Sequence, residues 1–211
     1  MKKSPGFTNR RGIGPSEPEI PMRHPIPSLI FLFVFACSMP LSAAERLLQL
    51  TPENTQISFL LEATGHNVEG KLHLQDGQLR FDDETGQASG EIRIDARRAD
   101  TGNKRRDKKM HDKVLESEKN PLILFEAKSV EGAVDDGELS LVGSVTLLGK
   151  THPLTLPVQV ERDGDRIQAS ASFSVPYVNW GLRDPSVLIL RVAKEVQVTL
   201  EVNTTLTSPE P

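Results

Sequence analysis

Apolar and polar residues alternate with a period of two along most of the chain beyond Thr55. This period is typical of β-strands that bury one face, because successive side chains of a strand point to opposite sides of the sheet. The pattern predicts about nine strands. The apolar positions of these segments are Ile57, Phe59, Leu61 and Ala63; Val68, Leu72 and Leu74; Leu79 and Phe81; Ile92 and Ile94; Ile123 and Phe125; Leu139, Leu141, Val145 and Leu147; Leu154, Leu156, Val158 and Val160; Ile167, Ala169, Ala171 and Phe173; and Val196, Val198, Leu200 and Val202.

Tight turns are predicted between several of these segments. Asp76-Gly77, Asp136-Gly137 and Asp163-Gly164 carry the residue pair that supplies positive φ angles in two-residue hairpins, and Gly149-Lys150 resembles a fourth turn. Strands joined by such turns are antiparallel neighbours. A sheet of this many strands must curl, close or split into two layers.

One segment breaks the alternation. Residues 100–118 are rich in helix formers, and Met110 and Val114 stand four apart, so a short helix is predicted between strands, capped by Asp100 or Thr101. We find no internal repeat and no second shift in composition after residue 44. Residues 45–205 are therefore predicted to form one all-β domain of antiparallel strands with a single inserted helix, and residues 206–211 a disordered tail.

The mode of closure is left open by periodicity, since a sandwich and a barrel share the same alternation. The inward positions hold mostly Leu, Ile, Val and Ala. An eight-stranded barrel lined by such medium-sized side chains can keep an unfilled interior that holds one small apolar ligand. The same side chains can also pack a solid core, and both interpretations stand at this point.

The N-terminal region differs in composition from the rest. A basic stretch at Arg23 precedes an apolar run over residues 28–36 and the small residues 42–44, the three parts of a secretory signal peptide. The run is shorter than the roughly 20 residues that cross a bilayer. Residues 1–44 are therefore predicted to be an extension and a cleaved signal peptide, and the mature protein is predicted to be periplasmic. Initiation at Met22 and lipidation of Cys37 are left open.

The charge of the remaining body limits its partners. The chain has 25 Lys and Arg and 29 Asp and Glu. Without the five basic and two acidic residues of the N-terminal region, the body carries 20 against 27, a formal charge of −7. A nucleic-acid binder that works through bulk charge needs the opposite balance. Cys37 is the chain's one cysteine, so the body has no disulfide and no thiolate chemistry.

Candidate catalytic groups are sparse. The body has four histidines, His66, His73, His111 and His152, none in a metal-ligand spacing, and we interpret each as a solvated surface residue. The sequence contains no nucleophile elbow, no phosphate-binding loop and no dinucleotide fingerprint. We therefore predict no catalytic residues, no metal and no cofactor.

A cationic run is the strongest local charge feature. Lys104, Arg105, Arg106 and Lys108 are predicted to contact a membrane surface or a ligand headgroup, and Lys109 and Lys113 add to the same run. The alternative is a solvated helix face balanced by the acidic residues Asp107, Asp112, Glu116 and Glu118.

Residues 177–185 form a second unusual stretch. It holds Tyr177 and Trp180, the only Tyr and the only Trp in the chain, and an Arg interrupts the apolar run that follows, at Arg191. Aromatic side chains with one polar tip suit the mouth of an apolar pocket, and Trp180 can equally plug a barrel end. An inward Arg191 would need an anionic partner.

Several motifs in a fixed order resemble the YceI-like family, over residues 47–203. They are Asp100-Thr101-Gly102-Asn103, Arg106-Asp107, Met110-His111, Val114-Leu115, Asn120-Pro121-x-Ile123-x-Phe125, Gly143-x-Val145-x-Leu147-x-Gly149 and Trp180-Gly181. The resemblance implies a secreted or periplasmic lipocalin-like barrel that holds an isoprenoid, quinone-type or fatty-acyl chain in an apolar tunnel. The predicted fold is therefore an all-β, antiparallel, eight-stranded lipocalin-like barrel with one short inserted helix. Many members carry an Arg where this chain has Tyr177, so Arg183 or Arg191 is expected to substitute for it.

The resulting hypothesis is a non-enzymatic carrier of a long apolar lipid. Its predicted ligand-binding residues are Phe59, Leu61, Leu72, Phe81, Ile123, Phe125, Val145, Leu156, Phe173, Tyr177, Trp180 and Arg191. Two alternatives come from other classes: a solid barrel that docks a membrane or a membrane redox partner through its basic helix, and an enzyme acting on a lipid-like substrate. A peripheral membrane contact and a homodimer are further partner hypotheses.

Overall fold

The computed structural model describes residues 45–82, 85–132, 137–187 and 189–205. The predicted signal peptide and the tail after residue 205 lie outside this part of the chain. The described strands are β1 Glu45–Leu50, β2 Thr55–Leu61, β3 Val68–Asp82, β4 Ala88–Asp100, β5 Leu122–Gly132, β6 Gly137–Leu147, β7 Lys150–Asp163, β8 Arg166–Val175 and β9 Val196–Thr205. One helix, α1 Lys104–Met110, follows β4 and continues as a π-helical turn over His111–Leu115.

Eight of the strands close into a ring. The order around it is β3-β2-β9-β8-β7-β6-β5-β4, and β4 pairs back with β3, every pair being antiparallel. The predicted eight-stranded antiparallel barrel with one inserted helix is confirmed. A ninth strand is added to it: β1 pairs with the second half of β3, whereas β2 pairs with the first half.

Alternate side chains of the strands point into the barrel, as the period of two predicts. In β7, for example, Leu156 and Val160 are buried while Thr155 and Gln159 are exposed. Apolar side chains from β1 and all eight strands of the ring make one continuous buried cluster. The sequence therefore specifies which face of each strand is inside, and closure of the ring turns those faces toward a common axis.

The predicted turn at Asp76-Gly77 is wrong. Both residues lie within β3, where the register with β4 shifts between Leu74 and Asp76, a β-bulge. A Cβ at Gly77 would come within 3.1 Å of the Leu50 side chain, so the glycine admits β1 to the barrel wall. The two predicted segments on either side of this turn are one 15-residue strand, and β1 is a strand that the periodicity did not reveal.

Two other predicted turns lie where β-strands end. β7 ends at Asp163 and β8 begins at Arg166, with Gly164 at φ +62°, as predicted. Between β6 and β7 the central residues are Leu148 and Gly149, with φ of 51° and 70°, one position before the predicted pair. Two successive positive φ angles are what the common hairpin turn requires. Asp136, the first residue of the remaining predicted turn Asp136-Gly137, lies outside the described residues.

Helix α1 begins at neither of the predicted caps. Asn103 is the N-cap, and its Oδ1 accepts hydrogen bonds from the backbone N–H groups of Arg105 at 3.1 Å and Arg106 at 3.2 Å. Asp100 ends β4 and its carboxylate contacts His73 Nε2 at 3.1 Å instead. No helix in the described part of the chain is long and apolar enough to cross a membrane.

Two phenylalanine rings lie close to glycines of neighbouring strands. The ring of Phe59 covers Gly70, its partner on β3, and the ring of Phe125 covers Gly143 on β6. A glycine leaves room for the ring because it has no side chain of its own. Each ring consequently occupies the space that a side chain at its neighbouring glycine would take.

Gly70→Ala should lower the free energy of unfolding by about 1–3 kcal/mol, because the new Cβ collides with the Phe59 ring and comes 2.7 Å from the backbone oxygen of Asp100. Urea denaturation measures the change. Ser58→Ala, at an exposed position of β2, is the control and should shift stability by no more than about 0.5 kcal/mol. Equal stabilities for G70A and the wild type would show that the ring does not depend on the glycine.

Candidate functional site: an apolar chamber in the barrel

The barrel encloses a cavity of about 620 Å³. Every strand of the ring contributes inward side chains to its wall, among them Leu72 on β3, Ile94 on β4 and Val198 on β9. Many of these side chains are half-buried although they point inward, because they face the cavity. The volume lies within the roughly 300–1,000 Å³ of pockets that enclose small ligands. The interior is therefore hollow, not a solid core.

Ten of the twelve predicted ligand-binding residues lie in the wall of this chamber. Their inward position follows from the period-two phase of the strands and from the place of residues 177–182 over one end of the barrel. They are Phe59, Leu61, Leu72, Ile123, Phe125, Val145, Leu156, Phe173, Tyr177 and Trp180.

The other two lie elsewhere. Phe81 points inward, but it lines a second, smaller cavity of about 90 Å³ further along the barrel, because β3 extends past the chamber. Arg191 is exposed and outside the wall, since it lies in the irregular segment between β8 and β9, where alternation does not apply. Its carbonyl oxygen accepts a hydrogen bond from the backbone N–H of Thr64 at 2.9 Å. Arg183 is also exposed, so neither Arg lies in the wall.

The chamber opens to solvent beside α1. Five of the residues that line it are exposed, and they mark the opening: His66, Asn103, Arg105, Lys109 and Leu190. The described wall holds three cations and no carboxylate. The opening is thus cationic in a protein whose net charge is negative.

Segments 104–115 and 176–185 cover this end of the barrel together. Buried Leu147, Tyr177 and Leu182 pack with Val114 and Leu115 in a second apolar cluster. We call this cover the end cap. Lys109 Nζ donates a hydrogen bond to the backbone oxygen of Pro185 at 2.9 Å, which links the two segments across the opening.

The polar residues of the family motif build the turn that places α1. The backbone N–H of Thr101 donates to Asp107 Oδ1 at 2.9 Å, and Arg106 donates to Thr101 Oγ1 at 2.7 Å and to Thr101 O at 3.0 Å. Asn103 caps the helix in the same turn. These side chains fix the position of the opening by local hydrogen bonds.

The four predicted headgroup or membrane contacts have different surroundings. Arg105 is exposed and lines the chamber, and Arg106 lines it with a guanidinium that also binds Thr101. Lys104 and Lys108 point away from the chamber. Lys108 Nζ lies 2.7 Å from Asp112 Oδ2, and this hydrogen bond raises the pKa of Lys108 and lowers that of Asp112.

Tyr177 and Trp180 line the wall within the end cap. The hydroxyl of Tyr177 donates to the backbone oxygen of Ala193 at 2.7 Å. Burial, aided by the negative charge of Asp184, raises the pKa of Tyr177 to about 12. Trp180 stacks on His152, with ring centroids 4.7 Å apart and 3° between the planes. Both aromatic side chains thus present apolar surface to the chamber.

The prediction of solvated surface histidines is wrong for His152, whose Nε2 is shielded, whereas His66 is exposed and His73 and His111 are half-buried. His152 shares the inward phase of β7, and its shielded Nε2 has no partner among the described residues. His111 Nδ1 lies 3.0 Å from Ser117 Oγ, and His73 contacts Asp100. His66 alone of the four is exposed. No three His, Cys, Asp or Glu side chains within the described ranges could hold a metal ion together.

The sequence analysis did not predict some of the wall residues as ligand-binding. Met110 lines the chamber, as do Leu115, Pro185 and Val192. Met110 and Val114 served to predict a helix and to mark the resemblance, but their four-residue spacing also places both on one face of the helix. Arg105 and Lys109 have the same spacing, a signal that could have singled out Lys109 as a residue of the opening.

The closed antiparallel barrel, its apolar chamber and its cationic opening place this protein in the class of β-barrels that contain a cavity. The chain belongs to the YceI-like family, since the model of the YceI-like domain matches residues 48–204. A UPF0312 protein of Pseudomonas aeruginosa (strain LESB58) is 27% identical over 126 residues, 58% of this chain and 65% of the relative. The chain thus spans slightly less than two thirds of that relative's length.

Solved structures share the fold. BcnA of Burkholderia cenocepacia is 20% identical with a TM-score of 0.60, over 72% of this chain and 96% of BcnA. A polyisoprenoid binding domain from Saccharophagus degradans, implicated in plant cell wall breakdown, is 14% identical with a TM-score of 0.58, over 79% of this chain and 99% of that domain. The YCEI protein of Campylobacter jejuni is 19% identical with a TM-score of 0.53, over 66% and 85%.

Tyr177→Phe should lower the free energy of unfolding by about 1 kcal/mol near neutral pH, because the half-buried backbone oxygen of Ala193 loses its donor. A raised tyrosine pKa favours the folded state below the unfolded pKa, and this contribution is lost as the pH rises through the folded pKa. Wild-type stability should therefore decline relative to Y177F between pH values of about 10 and about 12. Urea denaturation of both proteins across this pH range measures the decline. Curves of unfolding free energy against pH that run parallel for the two proteins would contradict the prediction.

Proposed function

We propose that this protein is a periplasmic, non-enzymatic carrier that binds one long apolar lipid, an isoprenoid, quinone-type or fatty-acyl chain, in its chamber. The observation that carries the proposal is the continuous apolar wall of the 620 Å³ cavity, interrupted by charged groups only near the opening. The polyisoprenoid binding named for the structural neighbour from Saccharophagus degradans supports the same ligand class. The periplasmic location is supported by the N-terminal sequence alone.

The size of the chamber suits a long chain. At roughly 30 Å³ for each carbon-sized unit, 620 Å³ corresponds to about 20 carbons, or four isoprene units. Burial of about 20 carbons at roughly 0.8 kcal/mol each contributes about 16 kcal/mol, against an association cost of about 4–15 kcal/mol. A chain that fills the chamber is therefore retained, and a much shorter one is not.

The opening favours a lipid whose polar end is anionic. Arg105 and Lys109 line the rim, and no carboxylate opposes them in the described wall. Charge-assisted hydrogen bonds from such groups to a carboxylate or phosphate are stronger than neutral ones. The proposed orientation places the tail inside the barrel and the headgroup beside α1.

The basic outer surface of α1 has a separate proposed role. Lys104 and Lys108 are exposed and lie outside the chamber wall, where they can approach an anionic membrane surface. Positive side chains close to an anionic bilayer are attracted to its surface. This contact would bring the opening to the bilayer from which a lipid is taken.

A catalytic role has less support. In the described wall His66, at the opening, is the one histidine, and no Asp or Glu accompanies it. General acid–base chemistry needs a titratable group within hydrogen-bond reach of the reacting atom. The alternative of a solid barrel that acts only as an interaction surface does not agree with the hollow interior.

Protein purified from its own host should release a long-chain lipid into organic solvent, at close to one molecule per barrel, when the extract is analysed by mass spectrometry. Val198→Trp should reduce this yield at least about tenfold, because the indole occupies wall space that about five carbons would otherwise fill. Gln197→Trp, at the neighbouring exposed position of β9, is the matched control and should keep the wild-type yield. An empty wild-type extract, or equal yields from V198W and Q197W, would contradict the carrier function.

Reversal of the rim charges should separate headgroup binding from chain binding. The double variant Arg105→Glu and Lys109→Glu should bind a long-chain fatty acid at least about tenfold more weakly, because two charge-assisted contacts become repulsive. Its affinity for the fatty alcohol of the same length should change little. Titration with both ligands measures the two effects, and an equal loss for acid and alcohol would contradict an anionic headgroup site.

Lys104→Glu provides the control for this pair. It should leave fatty-acid affinity unchanged and reduce sedimentation with anionic vesicles, because Lys104 lies outside the wall. Unchanged sedimentation would remove the support for a membrane contact through α1.

A further inference from the structure

The interior of the barrel is divided. Besides the main chamber there is a second cavity of about 90 Å³, on the side of β1, lined by Leu48, Leu50 and Phe81 among others. Its wall is apolar apart from Ser170. Three side chains line both cavities: Ile92, Leu156 and Leu200. These three therefore stand between the chamber and the smaller cavity.

Their positions around the ring make them converge. Ile92 is on β4, Leu156 on β7 and Leu200 on β9. Around the ring of eight strands the steps are two from β9 to β7, three from β7 to β4 and three from β4 back to β9. Inward side chains from strands spaced so evenly point toward the same part of the axis. Ile92 and Leu156 are 4% and 3% exposed, so little free space surrounds them.

We propose that Ile92, Leu156 and Leu200 form an apolar partition that ends the chamber and limits the length of chain that the protein can bury. This inference rests on the proposed carrier function and adds to it the residues that determine chain length. Up to the partition each additional carbon is buried, and beyond it a longer chain must leave carbons outside the opening.

The space behind the partition sets the size of the expected effect. The smaller cavity corresponds to about three carbons at roughly 30 Å³ each, and truncating one leucine to alanine removes three more carbon atoms. Joining the two cavities should therefore admit about six further carbons, close to one isoprene unit.

Binding of saturated fatty acids of increasing length, from about 14 to about 28 carbons in steps of two, tests the partition by displacement of a fluorescent fatty acid. For the wild type the affinity should rise about fourfold per carbon and level off near about 20 carbons. Leu156→Ala should move this plateau to chains about four to six carbons longer. Leu200→Ala, at a half-buried position, should shift the plateau in the same direction. It is the variant to use if thermal unfolding shows that L156A does not fold.

Leu139→Ala is the matched control. Leu139 is 7% exposed and lines only the smaller cavity, so its truncation enlarges that cavity and leaves the partition intact. Its plateau should stay at the wild-type length. An unchanged plateau in both L156A and L200A, or an equal shift in L139A, would overturn the partition while leaving the carrier function intact. Failure of the wild type to bind any of the acids, together with an extract of the native protein that contains no lipid, would overturn the carrier function itself.

Discussion

Closure of the ring is the constraint on which the other features of this protein depend. Pairing of β3 with β4 closes the ring, and it fixes the circumference at eight strands. The space inside such a ring is wider than leucine, isoleucine and valine side chains fill at every level. Phe59 and Phe125, which could reach further toward the axis, lie over Gly70 and Gly143 instead. The chamber is thus a product of strand number and of the side chains that line it.

Polarity is restricted to one end of this apolar interior. The motif around Thr101, Asn103, Arg106 and Asp107 uses its hydrogen-bonding groups to shape the turn before α1, which then holds Arg105 and Lys109 at the opening. Elsewhere in the wall the hydroxyl of Tyr177 donates its hydrogen bond to the backbone oxygen of Ala193. Charged side chains are costly in a dry interior, and those of the described wall, Arg105, Arg106 and Lys109, all belong to α1 beside the opening.

The parts of the molecule that could be predicted are those governed by local pattern. The period of two identifies the inward residues because a strand allows no other phase, which is why Leu61 and Phe173 lie in the wall. It does not give depth along the axis, so Phe81 is inward but in the other cavity. Arg191 lies outside any strand, where the pattern carries no information. Asp76-Gly77 has turn chemistry, yet pairing with strands on both sides of β3 keeps it extended.

Because the cationic residues of the described wall lie on α1, the two ends of the chamber differ in chemistry. Under the proposed carrier function, an amphiphilic guest would enter hydrocarbon first and leave polar group first, since the charged side chains of the described wall, Arg105, Arg106 and Lys109, all belong to α1 beside the opening. The polar group of the guest would then be the first part to contact a receiving bilayer or protein, while its hydrocarbon is still inside the chamber. In the proposed function, transfer to an acceptor would therefore begin at the polar group, and each methylene would pass from one apolar surface to the next.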